Sequence, residues 1–256
     1  MLSPKRLTED IYPPMVYPMN HQTITDQLIK TLAPLRFGPP VTHVYNPLIY
    51  ARPVYDQYFA RYGLPPKEIV LVGMNPGPWG MVQTGIPFGD VESVRDWLGI
   101  KASIGKPPKM HPKRPVTGFG CPRREVSGRR VWGWAREIFG TPERFFKRFF
   151  ITNYCPLAFI EETGRNRTPD KLRARERNPL LTACDQALLQ TVESLSPRYV
   201  IGIGAFAAKR VNNVCRNLEI VTGRITHPSP ANPLANRGWS ARIAAEFNQI
   251  GISLPV

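Results

Sequence analysis

Four short runs of apolar and β-branched residues recur along the chain, each bounded by residues that favour turns. They lie at 68–72, 149–152, 199–203 and 219–222. Continuous apolar runs of this length are typical of strands that are buried on both faces of a sheet. The pattern therefore predicts four buried strands.

Helical periodicity appears between these runs. In the clearest case an apolar side chain recurs every third or fourth residue through a polar segment. Its members are Leu181, Cys184, Leu188, Val192 and Leu195. Less regular patterns predict helices over about 23–32, 206–218 and 239–250. Strands that alternate with helices imply right-handed crossovers and a parallel sheet. The predicted fold is therefore α/β, a three-layer α/β/α sandwich around a mainly parallel four-stranded sheet.

The N-terminal part of the chain is marked by its prolines. Two stretches, Pro13-Pro14 and Pro39-Pro40, flank the first predicted helix. We interpret residues 1–65 as an N-terminal helical lead-in. A chain of 256 residues lies at the upper end of what one α/β domain occupies, so we expect a single domain over residues 1–256.

The chain is strongly basic. It has 34 Lys and Arg against 19 Asp and Glu, a formal charge of +15. This excess favours a polyanionic partner, either nucleic acid or an anionic membrane surface. Residues 101–130 hold nine Lys or Arg and one acid, Glu125, among scattered Gly and Pro. We interpret this segment as a basic loop insertion, which either binds the polyanion or is solvated without a partner.

Several other classes of protein are disfavoured. The chain has no run of about eighteen or more apolar residues and no apolar stretch of a signal peptide, so we expect an intracellular protein that neither spans a membrane nor is secreted. The cysteines form no C-x-x-C pair, which disfavours a zinc site or a redox couple. We therefore expect no metal and four free thiols, at Cys121, Cys155, Cys184 and Cys215.

Residues that suit a binding site follow three of the predicted strands. A glycine-rich segment, 73–89, follows the first strand, Asn153 follows the second, and the segment 227–230 follows the last. Ligands of open parallel sheets bind beyond the carboxyl ends of the strands, so these three places should converge. The segment 73–89 has five glycines and three prolines. It lacks the spacing of a phosphate-binding loop or of a dinucleotide fingerprint, which disfavours a nucleotide-handling enzyme of the Rossmann type.

Five blocks of sequence resemble, in the same order, those of the single-strand-selective monofunctional uracil-DNA glycosylases. They are GMNPGP (73–78), QTGIPFG (83–89), CPRREVSG (121–128), NYCPL (153–157) and HPSPANPLANRGW (227–239). The resemblance implies a uracil-DNA-glycosylase-like fold. It also implies a role in base-excision repair: hydrolysis of the N-glycosidic bond of uracil or a related damaged base in DNA, which leaves an abasic site.

By this resemblance Asn75 and His227 form the catalytic pair. A carboxamide does not titrate near neutral pH, so Asn75 is expected to position a water at the sugar C1′ rather than to act as a strong base. His227 is expected to donate a hydrogen bond to the uracil O2, because the departing base carries negative charge in the transition state.

The resemblance also implies a pocket for a base that has been flipped out of the stack. Phe88 matches the stacking aromatic residue. Asn153 matches the residue that reads uracil, since its carboxamide offers a donor to O4 and an acceptor to N3–H. Cytosine presents the opposite pattern and would leave buried polar groups unpaired. Met74, Gly77 and Met81 complete the predicted base-binding set.

DNA, and not a membrane, is the partner that the resemblance implies, as single strands or as mismatched duplexes that contain uracil. The segment 231–239, which follows HPSP, matches the family's wedge loop, which enters the duplex. The DNA contacts predicted in this loop and just before it are Ser229, Pro230, Ala231, Asn232 and Arg237. Relatives can carry a basic residue where this chain has Ala231, so we expect weaker action on well-paired duplex. Phosphate contacts are predicted for five cations of the basic loop, Lys109, Lys113, Arg114, Arg123 and Arg124.

The reaction is expected to stop at the abasic site. No lysine lies in the segments 73–89 or 227–230, so no Schiff base and no strand nicking are expected. The cysteine spacing offers no iron–sulfur ligand run, and we expect a monomer without a cofactor. Two alternatives stay open: a glycosylase of the same fold that prefers deaminated purines such as xanthine or hypoxanthine, and a non-catalytic nucleic-acid-binding module, which would explain the charge but not the strand-end motifs.

Overall fold

The computed structural model describes residues 19–255. The strands are β1 (Val41–Tyr45), β2 (Ile69–Gly73), β3 (Phe149–Asn153), β4 (Ala158–Glu161), β5 (Asn166–Arg167), β6 (Tyr199–Ile203) and β7 (Val221–Ile225). The helices are α1 (His21–Leu32), α2 (Pro47–Tyr50), α3 (Arg52–Tyr62), α4 (Met81–Thr84), α5 (Val126–Phe139), α6 (Pro142–Arg148), α7 (Ala174–Leu195), α8 (Ala205–Val214) and α9 (Trp239–Gln249). None of the helices formed by residues 19–255 combines the length and the apolar character needed to cross a membrane.

The four strands predicted from the apolar runs form one parallel sheet. Their order is β3-β2-β6-β7, and helices cover both faces. The inner strands β2 and β6 are buried at every residue, which explains why their sequences are continuously apolar. The predicted α/β sandwich around a parallel four-stranded sheet is confirmed.

Aromatic side chains fill the core on one face of this sheet. The rings of Phe145 and Phe149 stack with their centroids 5.1 Å apart, and Trp134 meets Phe149 edge-on at 5.8 Å. All three side chains are almost completely buried. Because burial of one such ring contributes about 1.5–3 kcal/mol, this cluster fixes α5 and α6 on the sheet.

Several element boundaries differ from the sequence prediction, and three of them concern β7, α8 and α7. β7 begins two residues later than predicted, because the Ile220 N–H donates back to the Leu218 carbonyl in a turn, 2.8 Å away. α8 ends at Val214 rather than at residue 218. α7 begins before the periodic residues, since its first turns are polar and carry Pro179, which masks the pattern.

A second sheet was not predicted. Strands β1, β4 and β5 pair antiparallel in the order β1-β4-β5. β4 has four residues and β5 has two, too few to show an alternating pattern. The N-terminal lead-in, predicted as helical, therefore contributes the strand β1 as well as the helices α1, α2 and α3. Pro39-Pro40 lies between α1 and β1, whereas Pro13-Pro14 lies outside the described residues.

The basic loop is shorter than predicted. Residues 101–125 are irregular apart from a bridged turn at His111–Arg114 and a helical turn at Gly118–Gly120, but residues 126–130 form the start of α5. Glu125 is the residue at which the loop ends and the helix begins. The two arginines at 129 and 130 thus belong to a helix.

Buried groups anchor this loop to the rest of the fold. The Tyr45 hydroxyl accepts from the His111 N–H at 2.7 Å and donates to the Arg114 carbonyl at 2.8 Å. The Gln83 side chain donates to the Pro115 carbonyl at 2.9 Å and accepts from the Thr117 N–H at 2.9 Å. The loop backbone is therefore held in place while its cations stay near the surface.

Candidate active site

The carboxyl ends of β2 and β3 bring two of the predicted segments together. Gly73 ends β2, Asn153 ends β3, and the two residues are paired in the register of the sheet. A side chain at position 73 would collide with the Asn153 carboxamide and with the Phe88 ring. Glycine at this strand end therefore lets the amide and the ring meet across the backbone.

A cavity of about 180 Å³ opens at this edge of the sheet, many times the roughly 10–15 Å³ that one water requires. Its wall contains all seven residues predicted to be catalytic or base-binding, namely Met74, Asn75, Gly77, Met81, Phe88, Asn153 and His227. It also contains five residues that the sequence analysis did not select, namely Gly80, Glu125, Ser127, Asn166 and Thr168. The predicted convergence of the strand ends is confirmed.

The Asn75 carboxamide is held in one orientation. Its Nδ2 donates to the Leu157 carbonyl oxygen at 3.2 Å, just before β4 begins. A carboxamide has one donor end and one acceptor end. The bond therefore leaves Oδ1 as the atom of Asn75 that can accept a hydrogen bond from a molecule in the cavity.

A second amide braces the same segment from β5. Asn166 donates from Nδ2 to the Pro76 carbonyl oxygen at 3.0 Å, one residue beyond Asn75. Its Oδ1 is buried and has no hydrogen-bond partner among residues 19–255. Sequence patterns gave no signal for this residue, because it lies in a two-residue strand far from Asn75 along the chain. The contact shows that the second sheet orients the glycine-rich segment.

The Asn153 amide keeps unused hydrogen-bonding capacity. Its Nδ2 donates to the Met81 sulfur at 3.2 Å. A thioether is a weak acceptor, so a carbonyl oxygen in the cavity would be a stronger partner for this donor. Asn153 is thus positioned at the cavity with a donor and an acceptor that a ligand can engage.

Phe88 adopts an unusual backbone conformation. Its φ is 55°, in the left-handed region that non-glycine residues rarely enter. The Phe88 carbonyl accepts from Trp132 Nε1 at 3.1 Å, and α5 approaches this carbonyl at Gly128, where a side chain would collide with it. These contacts hold the Phe88 ring in the cavity wall, with its centroid 6.2 Å from that of the His227 ring.

The hydrogen bonds of His227 define its tautomer. Nδ1 accepts from the Ser229 N–H at 3.1 Å, so the proton of the neutral imidazole resides on Nε2. Burial lowers the pKa of His227 to about 4. At neutral pH the residue is therefore an uncharged imidazole whose Nε2–H is free to donate into the cavity.

Replacing His227 with glutamine is expected to flatten the pH dependence of unfolding. The unfolded imidazole takes up a proton near pH 6.5, whereas the folded one does so only near 4. Between these values the unfolded state binds more protons, so wild-type stability falls as pH falls, by about 3 kcal/mol across the interval. Urea denaturation of both proteins at pH 7.5, 6.0 and 4.5 measures this. An equal loss of unfolding free energy in the two proteins would contradict burial of a neutral His227.

Glu125 is the only carboxylate among the twelve residues of the cavity wall. Burial raises the pKa of Glu125, and the backbone N–H groups of Ser127 and Trp79 oppose that shift. Its side chain lies against Gly77 and Gly80, where an added side chain would collide with the carboxylate at position 77 and with Cγ at position 80. Glu125 stood out in the sequence as the single acid of the basic segment. The structure shows that it joins the start of α5 to the glycine-rich segment.

The predicted wedge loop is braced from α5. Arg130 donates from Nη1 to the Pro228 carbonyl and from Nη2 to the Asn236 Oδ1, each at 2.9 Å. Inside the loop, Asn232 Nδ2 donates to the His227 carbonyl at 3.1 Å. The role of Arg130 was not predicted, because a residue 98 positions from Pro228 gives no local signal.

The DNA contacts predicted in this loop and just before it fall into two groups, half-buried and exposed. Ser229 and Asn232 are half-buried and hydrogen-bonded within the loop, with the Ser229 Oγ accepting from the Ala231 N–H at 3.2 Å. Pro230, Ala231 and Arg237 are exposed. The loop thus has a fixed shape and an accessible outer surface.

The residues predicted to contact phosphate differ in exposure and in whether a carboxylate pairs with them. Lys109, Lys113 and Arg123 are exposed, and Arg114 is half-buried. Arg124 is instead paired with the buried Asp90 at 3.2 Å and with Glu92. Two carboxylates offset its charge, so Arg124 holds the loop and adds little to the positive surface.

Among residues 19–255, the side chains that could ligate a metal do not gather into a site. Within the part of the chain that the structure describes, no three or more His, Cys, Asp or Glu side chains are placed to hold a metal ion. The four cysteines are buried and free.

Comparison with known proteins assigns this chain to a family. Residues 60–248 match the model of the uracil DNA glycosylase superfamily. The chain is 46% identical over 228 residues to the single-strand selective monofunctional uracil-DNA glycosylase of Rattus norvegicus, a match covering 88% of this chain and 82% of the relative. The proteins of the same name from Mus musculus and Bos taurus are each 45% identical over the same length.

A solved structure shares the fold. The crystal structure of wild-type SMUG2 from Pedobacter heparinus superimposes with a TM-score of 0.62 over 89% of this chain and 98% of that chain, at 16% identity. At that identity the likeness concerns the fold alone. Taken with the family model and the three relatives, the chain belongs to the uracil DNA glycosylase superfamily and, within it, to the family of the single-strand selective monofunctional uracil-DNA glycosylases.

Proposed function

We propose that this protein flips uracil out of DNA, hydrolyses its N-glycosidic bond and leaves an abasic site, as a monofunctional glycosylase of base-excision repair. The observation that carries the proposal is the convergence on one cavity of Asn75 Oδ1, the Asn153 carboxamide and the neutral His227. The names of the relatives at 45–46% identity support the same activity.

The cavity supplies the groups that a flipped uracil needs. The Phe88 ring gives a surface on which the base stacks. The Asn153 amide donates to O4 and accepts from N3–H. This arrangement complements the edge of uracil, whereas cytosine has a donor and an acceptor in the reverse positions. Cytosine in this pocket would leave buried polar groups unpaired, so the site selects uracil.

The chemistry depends on stabilising the leaving base. A water held by Asn75 Oδ1 forms a bond from its oxygen to C1′ while the C1′–N1 bond breaks, and the bonding electron pair departs with the base as an anion. The proton lost by the water reaches the released base by way of solvent. The His227 Nε2–H donates to the uracil O2, where negative charge develops, so the neutral imidazole acts as an oxyanion donor.

The cavity explains why the reaction stops at the abasic site. Strand cleavage by a glycosylase requires an amine nucleophile that forms a Schiff base with C1′. None of the twelve residues of the cavity wall is a lysine. The product strand should therefore remain intact until alkali breaks it.

The direct test uses a labelled oligonucleotide that carries one uracil. Incubation with the purified protein should release uracil, and the strand should break only after alkali treatment. Breakage without alkali would contradict monofunctional action. Binding without release of uracil would leave two alternatives. The first is a preference for deaminated purines, which oligonucleotides that carry xanthine or hypoxanthine would test. The second is a non-catalytic DNA-binding module.

Asn166→Ala is expected to slow base release in single-turnover assays by on the order of 10-fold, because the loss of the bond to Pro76 loosens the segment that carries Asn75. Asn166 acts through Asn75 and is a positioning residue. In an Asn75→Ala background the Asn166 substitution should therefore add little further loss. Arg167→Ala is the matched control, since it removes the ion pair to Glu161 from the same strand. If the fold losses in rate of the two single variants multiplied in the double variant, that result would contradict the positioning role.

Single strands and mismatched duplexes are proposed as the favoured substrates. The outer surface of the wedge loop presents Ala231, which offers little bulk, and Leu234, a large apolar side chain that is 45% exposed. A paired base costs a few kcal/mol more to flip than an unpaired one.

We therefore expect faster uracil release from single strands and U·G duplex than from U·A duplex, by about 10-fold or more. Leu234→Ala should widen this gap, because an inserted apolar side chain helps to unstack the duplex. Val221→Ala, which shortens an equally exposed side chain on β7, is the control. Equal rates on the three substrates would contradict the proposed preference.

A further inference from the structure

Trp79 is a side chain that the proposed mechanism does not use. It lies between Gly77 and Gly80, two residues of the cavity wall, and is partly exposed. The guanidinium carbon of Arg114 lies 5.0 Å from the centroid of its ring, and that of Arg123 lies 5.1 Å from it. Two cations from separate parts of the basic loop therefore converge on one aromatic side chain beside the cavity.

The charges of this cluster are not neutralised. Within residues 19–255, no carboxylate oxygen lies within 4.0 Å of the guanidinium of Arg114 or Arg123. The neighbouring Arg124 differs, since Asp90 and Glu92 pair with it. The Arg114 Nε is buried and has no hydrogen-bond acceptor in the described part of the chain. An unpaired buried donor is costly, so an incoming acceptor would be bound favourably here.

The combination of groups indicates the class of ligand. Guanidinium groups bind phosphate oxygens, and both indole rings and guanidinium planes provide surfaces on which nucleobases stack. A nucleotide offers a phosphate and an aromatic plane on one molecule. The position of Trp79, within two residues of the cavity wall on either side, places such a ligand next to a base bound in the cavity.

We propose that Trp79, Arg114 and Arg123 form a binding site for the nucleotide adjacent to the flipped one. Its base stacks on the cluster and its phosphate accepts hydrogen bonds from the guanidinium groups. In a single strand the adjacent base is free to stack there, whereas in a duplex it is held by its own pairing partner. The site therefore favours single-stranded DNA, and this inference rests on the proposed function.

Binding measurements with an uncleaved substrate test the site. The probe is a single-stranded 2′-deoxyoligonucleotide of about 15 nucleotides with one central 2′-fluoro-2′-deoxyuridine, whose fluorine slows glycosidic cleavage, alone or annealed opposite adenine. Trp79→Ala is expected to raise the Kd for the single strand by on the order of 10- to 100-fold, the usual loss of one stacked base, and to raise the Kd for the duplex much less. Trp79→Phe, which keeps an aromatic ring, should recover most of the affinity.

The charge component is tested separately. Arg123→Ala should lower the slope of log Kd against log salt concentration by about 1, as expected for the loss of one phosphate contact. Arg198→Ala is the matched control. It removes an arginine that also lies over an aromatic ring, Tyr199 at 5.1 Å, but at the opposite edge of the sheet. The control should leave both the affinity and the slope unchanged.

A fluorescence titration keeps the proposal testable if Trp79→Ala does not fold. The single-stranded probe should quench tryptophan emission more strongly in the wild type than in Trp79→Phe. Equal quenching in the two proteins, or an equal loss of single-strand and duplex binding in Trp79→Ala, overturns the proposal. Failure of the wild type to release uracil, with the Trp79 effects present, would overturn the proposed function and leave the nucleotide site standing.

Discussion

Replacing His227 with alanine is expected to lower the single-turnover rate of uracil release by on the order of 10²- to 10³-fold, the usual cost of one oxyanion donor. The structure gives the reason. The Ser229 N–H holds Nδ1 as an acceptor at 3.1 Å, and burial keeps the ring uncharged, so Nε2–H is the donor that we propose for the developing charge on O2. The measurement is quench-flow or manual-quench release of uracil with enzyme in excess over a single-stranded substrate.

Two comparisons separate this role from a structural one. His227→Gln retains an N–H donor and should recover part of the rate, whereas His43→Ala, on β1 and outside the cavity, should leave the rate unchanged. The wild-type rate should show no inflection near pH 6.5, since the pKa of His227 is lowered to about 4. An undiminished rate in His227→Ala would remove the residue from the mechanism.

Asn153→Asp is expected to collapse the discrimination between uracil and cytosine. A site that hydrogen-bonds a polar edge rejects the wrong edge by about 10⁴- to 10⁵-fold, and we propose that the Asn153 carboxamide makes that selection here. An ionised aspartate would place an acceptor against the uracil O4. A protonated one, favoured by burial, would offer its hydroxyl to the cytosine N3 and its carbonyl to the cytosine N4–H.

The ratio of single-turnover rates on uracil and cytosine oligonucleotides measures this change. We expect uracil release to fall sharply and cytosine release to appear, most clearly at low pH where the aspartate is protonated. Asn248→Asp, which adds the same charge on the exposed surface of α9, serves as the control. A variant that still released uracil alone would show that another group reads the base.

Both predictions concern residues at strand ends, which the sequence located for a physical reason. Strands buried on both faces must be continuously apolar, so β2, β3 and β6 stand out in the sequence. Parallel strands bring their carboxyl ends to one edge, so polar and glycine-rich residues that follow them must meet there. The resemblance of five blocks then gave those residues their expected roles.

Helix boundaries and short strands were predicted less well. α7 begins with polar turns that hide the apolar period, and β5 has only two residues. Periodicity needs several residues on one face before it is visible. The second sheet therefore escaped prediction, and with it Asn166, whose amide reaches the glycine-rich segment across 90 positions of sequence.

The sequence by itself determined the parallel sheet, the edge at which ligands bind and seven of the twelve residues of the cavity wall, because burial and strand direction are recorded in local patterns. Only the tertiary structure decided the hydrogen bonds, the tautomer and the charge pairing of those residues and of their neighbours. Four features of the site depend on contacts and burial that form only when distant segments pack together. They are the tautomer of His227, the carboxylate of Glu125 in the cavity wall, the pairing of Arg124 with Asp90 and the contact of two arginines with Trp79. Hydrogen bonds and charge pairs of this kind leave no periodic trace in the chain.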